Sequence, residues 1–202
     1  MTGKNTKAKC IIQRMGKACG VNYDDKTFRN IRAFLESHKE CRVGGNIFDY
    51  SVLGHHTLDE VLPNIYRSFI KFDRIDDETI TTFVAQIISD ERSNEILYET
   101  LDEIKNFSII QKGKKERIGL LYYHILDSLY FSEEFSTNTD IYTELDITSA
   151  KYSYRKEEAI MLFGISYFAH CMPYWETRIF DIEVIKAEEG RTDLTEGNIA
   201  VS

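Results

Sequence analysis

The residues of this chain best suited to a specific chemical task lie close together. Ser149, Ala150, Lys151, Ser153, Tyr154, Arg155 and Lys156 share two turns of one helical segment. With 100° per residue counted from Tyr152 on the apolar face, Ala150, Lys151, Ser153, Tyr154 and Glu157 fall on the far side. Ser149, Arg155 and Lys156 fall on the flanks. A helix furnished this way carries donors, hydroxyls and a small apolar group on one side. Lys151 can donate to guanine, Ser153 can pair with several bases, and Ala150 can touch a thymine methyl. Glu157 can only accept, which suits cytosine's amino group or repels phosphate. Cations upstream, Lys112, Lys114, Lys115 and Arg117, are candidate phosphate contacts, which position a duplex without reading it.

Other reactive residue types are present but poorly spaced. His55 and His56, with Cys10, Cys19 and Cys41, fit no common zinc finger or ribbon spacing. Gly44-Gly45 lacks the spacing of a nucleotide-binding loop and reads as a turn. Asp76-Asp77-Glu78 stands where acids suit a helix N-terminus. Cys171 follows His170 directly, and adjacent helical residues point about 100° apart, which makes a weak nucleophile and base pair. Tyr122, Tyr123, Tyr130, Tyr142, Tyr152 and Tyr154 could stack on single-stranded bases, although several are better read as half-buried core residues with an exposed hydroxyl. The expectation is a protein that is not an enzyme, with no metal and no cofactor.

The elements that must position the donor-rich helix follow from its neighbours. Thr137 and Asp140 form a capping signature ahead of a short helix with Ile141, Tyr142 and Leu145 inward. Asp146 interrupts it, and Thr148 can cap the next helix. There Tyr152, Ala159 and Phe163 fall on one face. Two inward stripes separated by about four turn residues describe a helix-turn-helix. Before them, Glu116 to Phe131 reads as a helix with Ile118, Leu121, Tyr122, Ile125, Leu126 and Leu129 inward.

The rest of the chain is also mostly helical in pattern. Only two prolines and 11 glycines punctuate 202 residues, and 43% are hydrophobic. Helices are expected over Lys4 to Ala18, from Asp24 or Asp25 to about Lys39, near Thr57 to Phe69 around Pro63, from Asp76-Asp77 to Ser89, and from Asp90 to about Ile110. A short hairpin is expected near 41–50. The last long helix should stop near Met172, because proline follows it, and 178–186 alternates like a strand. The fold class is therefore mainly α with little β. Three parts are expected: an N-terminal helical domain at 1–112 of unassigned role, a helix-turn-helix domain at 113–172, and a partly extended tail at 173–202.

A net charge of -8 excludes a protein coated in basic surface, so any phosphate contacts must be local. Local clusters exist at Lys4, Lys7, Lys9, Arg14 and Lys17, and again at 112–117. Met1 to Lys9 is polar with no apolar run behind it, and no apolar stretch reaches the ~20 residues of a membrane span. A cytoplasmic location, reduced thiols and no membrane partner are expected.

Residues 116–168 resemble the helix-turn-helix of the sigma-factor region-four type, as carried by phage and prophage transcription regulators of Gram-positive bacteria. The likeness rests on Leu120-Leu121-Tyr122-Tyr123, on Asp140 to Leu145, and on the run Ile147 to Ile160, in register without a gap from Asp140 to Ile160. Tyr142 stands where the family usually has alanine, and Asp146 where it often has glycine. The resemblance implies a transcription regulator that binds double-stranded DNA with the helix starting at Ser149 in the major groove. A homodimer would suit paired half-sites. The alternative is a helical interaction module that grips RNA polymerase or another host protein, which the net charge and the acids Glu157-Glu158 favour.

Overall fold

The computed structural model describes residues 6–43, 77–111, 113–134 and 136–196, and these are mainly α. Helix α1 (Lys7–Ala18) starts at Thr6, whose hydroxyl accepts the Lys9 N–H at 3.1 Å. Helix α2 (Asp25–Val43) starts beside Asp24, which accepts the Thr27 N–H at 2.8 Å. Helices α3 (Asp77–Ser89) and α4 (Glu91–Ile104) meet at Asp90, the cap of α4. A two-stranded antiparallel hairpin follows, β1 (Ile109–Gln111) and β2 (Lys114–Glu116), with Gly113 at φ 75° in its turn. Helix α5 (Gly119–Leu126) widens into a π-helical turn at Asp127–Phe131. Helix α6 (Asn138–Glu144) carries the expected capping box of Thr137 and Asp140. Helix α7 (Ser149–Glu196) is 48 residues long, or about 72 Å at 1.5 Å per residue.

Helix α7 is the axis on which the others pack. Helices α1, α2, α4, α5 and α6 all touch it. One cluster of buried apolar side chains runs from Ala8 on α1 to Trp175 on α7. The boundary expected at residue 113 falls in the hairpin turn, and the two sides of it share that cluster. Phe34 of α2 lies 5.4 Å from Tyr167 of α7, ring to ring. Ile31 packs so closely on Gly164 that a Cβ there would sit 2.3 Å from Ile31 Cδ1.

Three sequence expectations need correction. Helix α7 does not stop near Met172 but passes through Pro173. An interior proline costs ~3 kcal/mol or more, and contacts beyond it offset that. Trp175 is buried against Phe83 and Tyr167 and donates its indole N–H to Ser93 Oγ at 3.2 Å. Arg178 bonds Asp90, and the Tyr174 hydroxyl donates to the same carboxylate. Burial would raise the Asp90 carboxyl, but hydrogen bonds from Ser93 and Arg178 outweigh it and hold the group below its ordinary value. Burying one large aromatic is worth several kcal/mol at ~25 cal/mol per Å², enough to carry the helix past the proline.

The strand expected at 178–186 is helix for the same reason. Ile179 and Ile182 continue the inward stripe of Trp175 at helical spacing, and both are half-buried. The helix expected to run to Ile110 ends at Ile104, and β1 takes the apolar pair after it. In the hairpin expected near 41–50, residues 41–43 are the last turn of α2. Its remainder, the expected helix around Pro63, His55 and His56 lie outside the described residues. Among the described residues no helix is long and apolar enough to cross a membrane.

His38 of α2 is 1% exposed, with the Phe131 ring 4.9 Å away and Tyr98 beside it. Burial, helped by the Arg42 guanidinium, lowers its imidazole from 6.5 to about 4. The unfolded chain therefore takes up a proton that the folded one refuses as pH falls below 6.5. Stability present above 6.5 is lost as pH falls toward 4. Linkage puts the loss between pH 7 and pH 5 at about 2 kcal/mol. Urea melts of the wild type and of His38→Leu at those two pH values measure it. The variant should lose less by that amount, and an equal loss in both would refute the assignment.

Candidate nucleic-acid interface

Helix α6, the turn Leu145–Thr148 and the start of α7 form the helix-turn-helix connection. The Thr148 hydroxyl accepts the Lys151 N–H at 3.2 Å and caps α7. Asp146 takes φ 49°, the left-handed conformation that the turn requires. Aspartate tolerates this region better than most residues, at a cost of about 1 kcal/mol relative to glycine. Tyr142 is half-buried and packs on Tyr152, 5.9 Å apart at 57°. The helix spacing is thus set by an aromatic pair rather than by a small residue. Tyr152 is buried as expected, and its hydroxyl donates to Asn138 at 2.7 Å.

The first turns of α7 present a free surface. Ser149, Ala150, Lys151 and Ser153 are exposed and Tyr154 is half-exposed. The Lys151 ammonium meets no partner among the described residues. Lys156 is half-buried, donating to Asn138 at 3.1 Å beside the Tyr152 ring. Burial, with Arg32 nearby, lowers its ammonium. Lys114, Lys115 and Arg117 are exposed on and just after the hairpin. Lys112 lies outside the described residues.

Arg155 is a correction. It does not flank the exposed face but turns inward, 8% exposed, and donates to Glu158 Oε2 at 2.9 Å and toward Tyr122 Oη at 3.4 Å. On the helical wheel it lies only 60° from Tyr152, and α1 and α5 close over that side. Glu158 is 1% exposed and also accepts the Tyr122 hydroxyl at 2.6 Å. Its other oxygen accepts the hydroxyl of Thr6, the cap of α1. Burial and the Glu158 carboxylate hold the Tyr122 hydroxyl protonated far above its ordinary range.

Glu157 keeps its place on the far side, one turn after Ser153, but its carboxylate is engaged. It accepts from Lys9 Nζ at 3.2 Å and from the Tyr23 hydroxyl at 3.4 Å. Both acids of the Glu157-Glu158 pair are therefore spent within the molecule, clasping α1 to α7. Neither carboxylate is left unengaged beside Lys151 and Ser153. The clasp had one sequence signal, a threonine at the N-cap position of α1. Its distant partners, more than 130 residues along the chain, left none.

The remaining reactive groups do not assemble. Cys171 is buried, and burial pushes its thiol up to about 12, which keeps it protonated at neutral pH. His170 faces Thr100 and Glu103 instead. Among the described residues no three histidine, cysteine or acidic side chains converge as a metal site would need. No family model, curated protein or solved structure matches this chain.

Proposed function

We propose that this chain is a DNA-binding transcription regulator of the phage- or prophage-linked kind, reading the major groove with the first turns of α7. The observation that carries the reading is the exposed set Ser149, Ala150, Lys151 and Ser153 beside a capped turn, with the neighbouring acids Glu157 and Glu158 ion-paired elsewhere. Lys151 and Ser153 read base edges, Ala150 packs on a thymine methyl, and Tyr154 flanks them. Lys156 is the phosphate contact left on α7 once Arg155 is withdrawn. Lys114, Lys115 and Arg117 supply further backbone contacts.

The test is a gel shift with the tightest duplex selected from a randomised library. Lys151→Ala and Ser153→Ala together should weaken binding about 30-fold or more, since each good base contact is worth about 1–3 kcal/mol and two are lost. Affinity should fall steeply between low and moderate salt. Unchanged binding in the double variant would remove the proposed contact set.

A second reading, an interaction module for RNA polymerase or another protein, is favoured by one observation. Past the body of the protein, α7 leaves Phe180 64%, Val184 39% and Ile185 54% exposed. Under that reading Phe180→Glu would abolish co-purification of a partner, while the Lys151 and Ser153 variants would leave it intact.

A further inference from the structure

The hairpin and the helices at its base enclose a cleft of about 330 Å³ lined by Lys105, Asn106, Lys115, Arg117 and Leu120. Its composition follows from the local fold. In β2 the side chains alternate, so Lys115 and the following Arg117 share one side while Lys114 and Glu116 share the other. Lys105 and Asn106 close the opposite wall just after α4. Gly119 brings the walls together, since its N–H donates to Phe107 O at 2.8 Å and leaves no room for a side chain.

The charge of the cleft is unbalanced. Lys105 is paired with Asp102 at 2.6 Å and also lies over the Tyr123 ring at 4.0 Å. Lys115 and Arg117 have no ion-pair partner among the described residues. Two uncompensated cations, a third that shares its carboxylate with solvent, and an amide donor thus surround one concave space. Leu120, 55% exposed, forms an apolar lip, and Ile110, 62% exposed, lies across the hairpin from Lys115.

We propose that this cleft is a phosphate-binding site. Arg117 offers a planar fork for two oxygens, Lys115 and Lys105 supply point charge, and the Asn106 amide donates to a remaining oxygen. The site goes beyond the duplex reading, because it needs only a phosphate group. That group belongs either to a DNA backbone or to a free phosphorylated molecule whose apolar part rests on Leu120.

Calorimetric titration of the full chain with inorganic pyrophosphate tests the site, and the same titration with the selected duplex identifies the source. Saturable pyrophosphate binding is expected, weakened about tenfold by Lys115→Gln and again by Arg117→Gln, and untouched by Lys151→Ala. Both glutamine substitutions fall on exposed side chains, and an unchanged thermal melt certifies the fold. If pyrophosphate competes with the duplex and the double variant also weakens it, the phosphate is a backbone phosphate. If the duplex is indifferent, or does not bind at all, while pyrophosphate binding is lost in the variants, the ligand is a free phosphorylated molecule. If the duplex does not bind at all, the site stands and the duplex reading falls. No saturable pyrophosphate binding, or binding that the double variant leaves unaltered, overturns the proposal.

Discussion

Replacing Glu158 by alanine should cost about 3–5 kcal/mol of stability, because it strands the Arg155 guanidinium in a buried site with no counter-charge. Arg155 is 8% exposed, and Glu158 Oε2 is its only carboxylate among the described contacts. The substitution also deprives the Tyr122 and Thr6 hydroxyls of their shared acceptor, and the lost bond of the buried Tyr122 hydroxyl adds to the cost. Removing both charges is a different experiment. In Glu158→Leu with Arg155→Met no ion is left unpaired, so the double variant should regain most of the loss. Chemical denaturation of the two proteins measures the difference. Equal destabilisation of the single and double variants would show that the stranded Arg155 charge is not the source of the loss. The comparison bears on function too, since Glu158 is part of the clasp that engages the carboxylates next to the exposed face.

Gly119→Ala is the second large effect, at about 3 kcal/mol or more. A Cβ at this position would lie 2.0 Å from Ile104 O, 2.7 Å from Phe107 N and 2.8 Å from Lys105 O. All three are backbone atoms, which cannot rotate away as a side-chain tip can. Overpacking of a core usually costs about 1–3 kcal/mol, and a clash with fixed backbone belongs at or above the top of that range. The end of α4 and the start of α5 would have to separate, and the walls of the phosphate cleft with them. Thermal melting should show the loss, and pyrophosphate affinity should fall although no cation has been altered. A melting temperature within a degree or two of wild type would mean that the two helices are not in this contact.

The helix-turn-helix was legible because its signals are local. Thr137 and Asp140 lie three residues apart, Thr148 precedes the run it caps, and Tyr152, Ala159 and Phe163 are buried as their spacing requires. Asp146 interrupts the apolar pattern as expected, and it holds the left-handed conformation of the turn. What was hidden depends on partners far along the chain. The inward turn of Arg155 needs Tyr122, 33 residues earlier, and a Glu158 that Thr6 bonds from the other end of the sequence. The continuation of α7 through Pro173 needs Phe83, Asp90 and Ser93. Local propensity reads the proline as a stop and 178–186 as a strand, and tertiary contacts overrule both. The cleft was half visible, in that Lys115 and Arg117 stood out as cations. Lys105, Asn106 and Leu120 join them only because Gly119 lets two helices meet.

The most direct test is amide NMR of the full chain with the selected duplex added. Duplex binding through the first turns of α7 should shift the signals of Ser149 to Tyr154 most, with a smaller set at Lys114, Lys115 and Arg117, and leave Phe180 to Ile185 unmoved. Perturbations confined to Phe180 to Ile185, or none at Ser149 to Tyr154, would contradict the account.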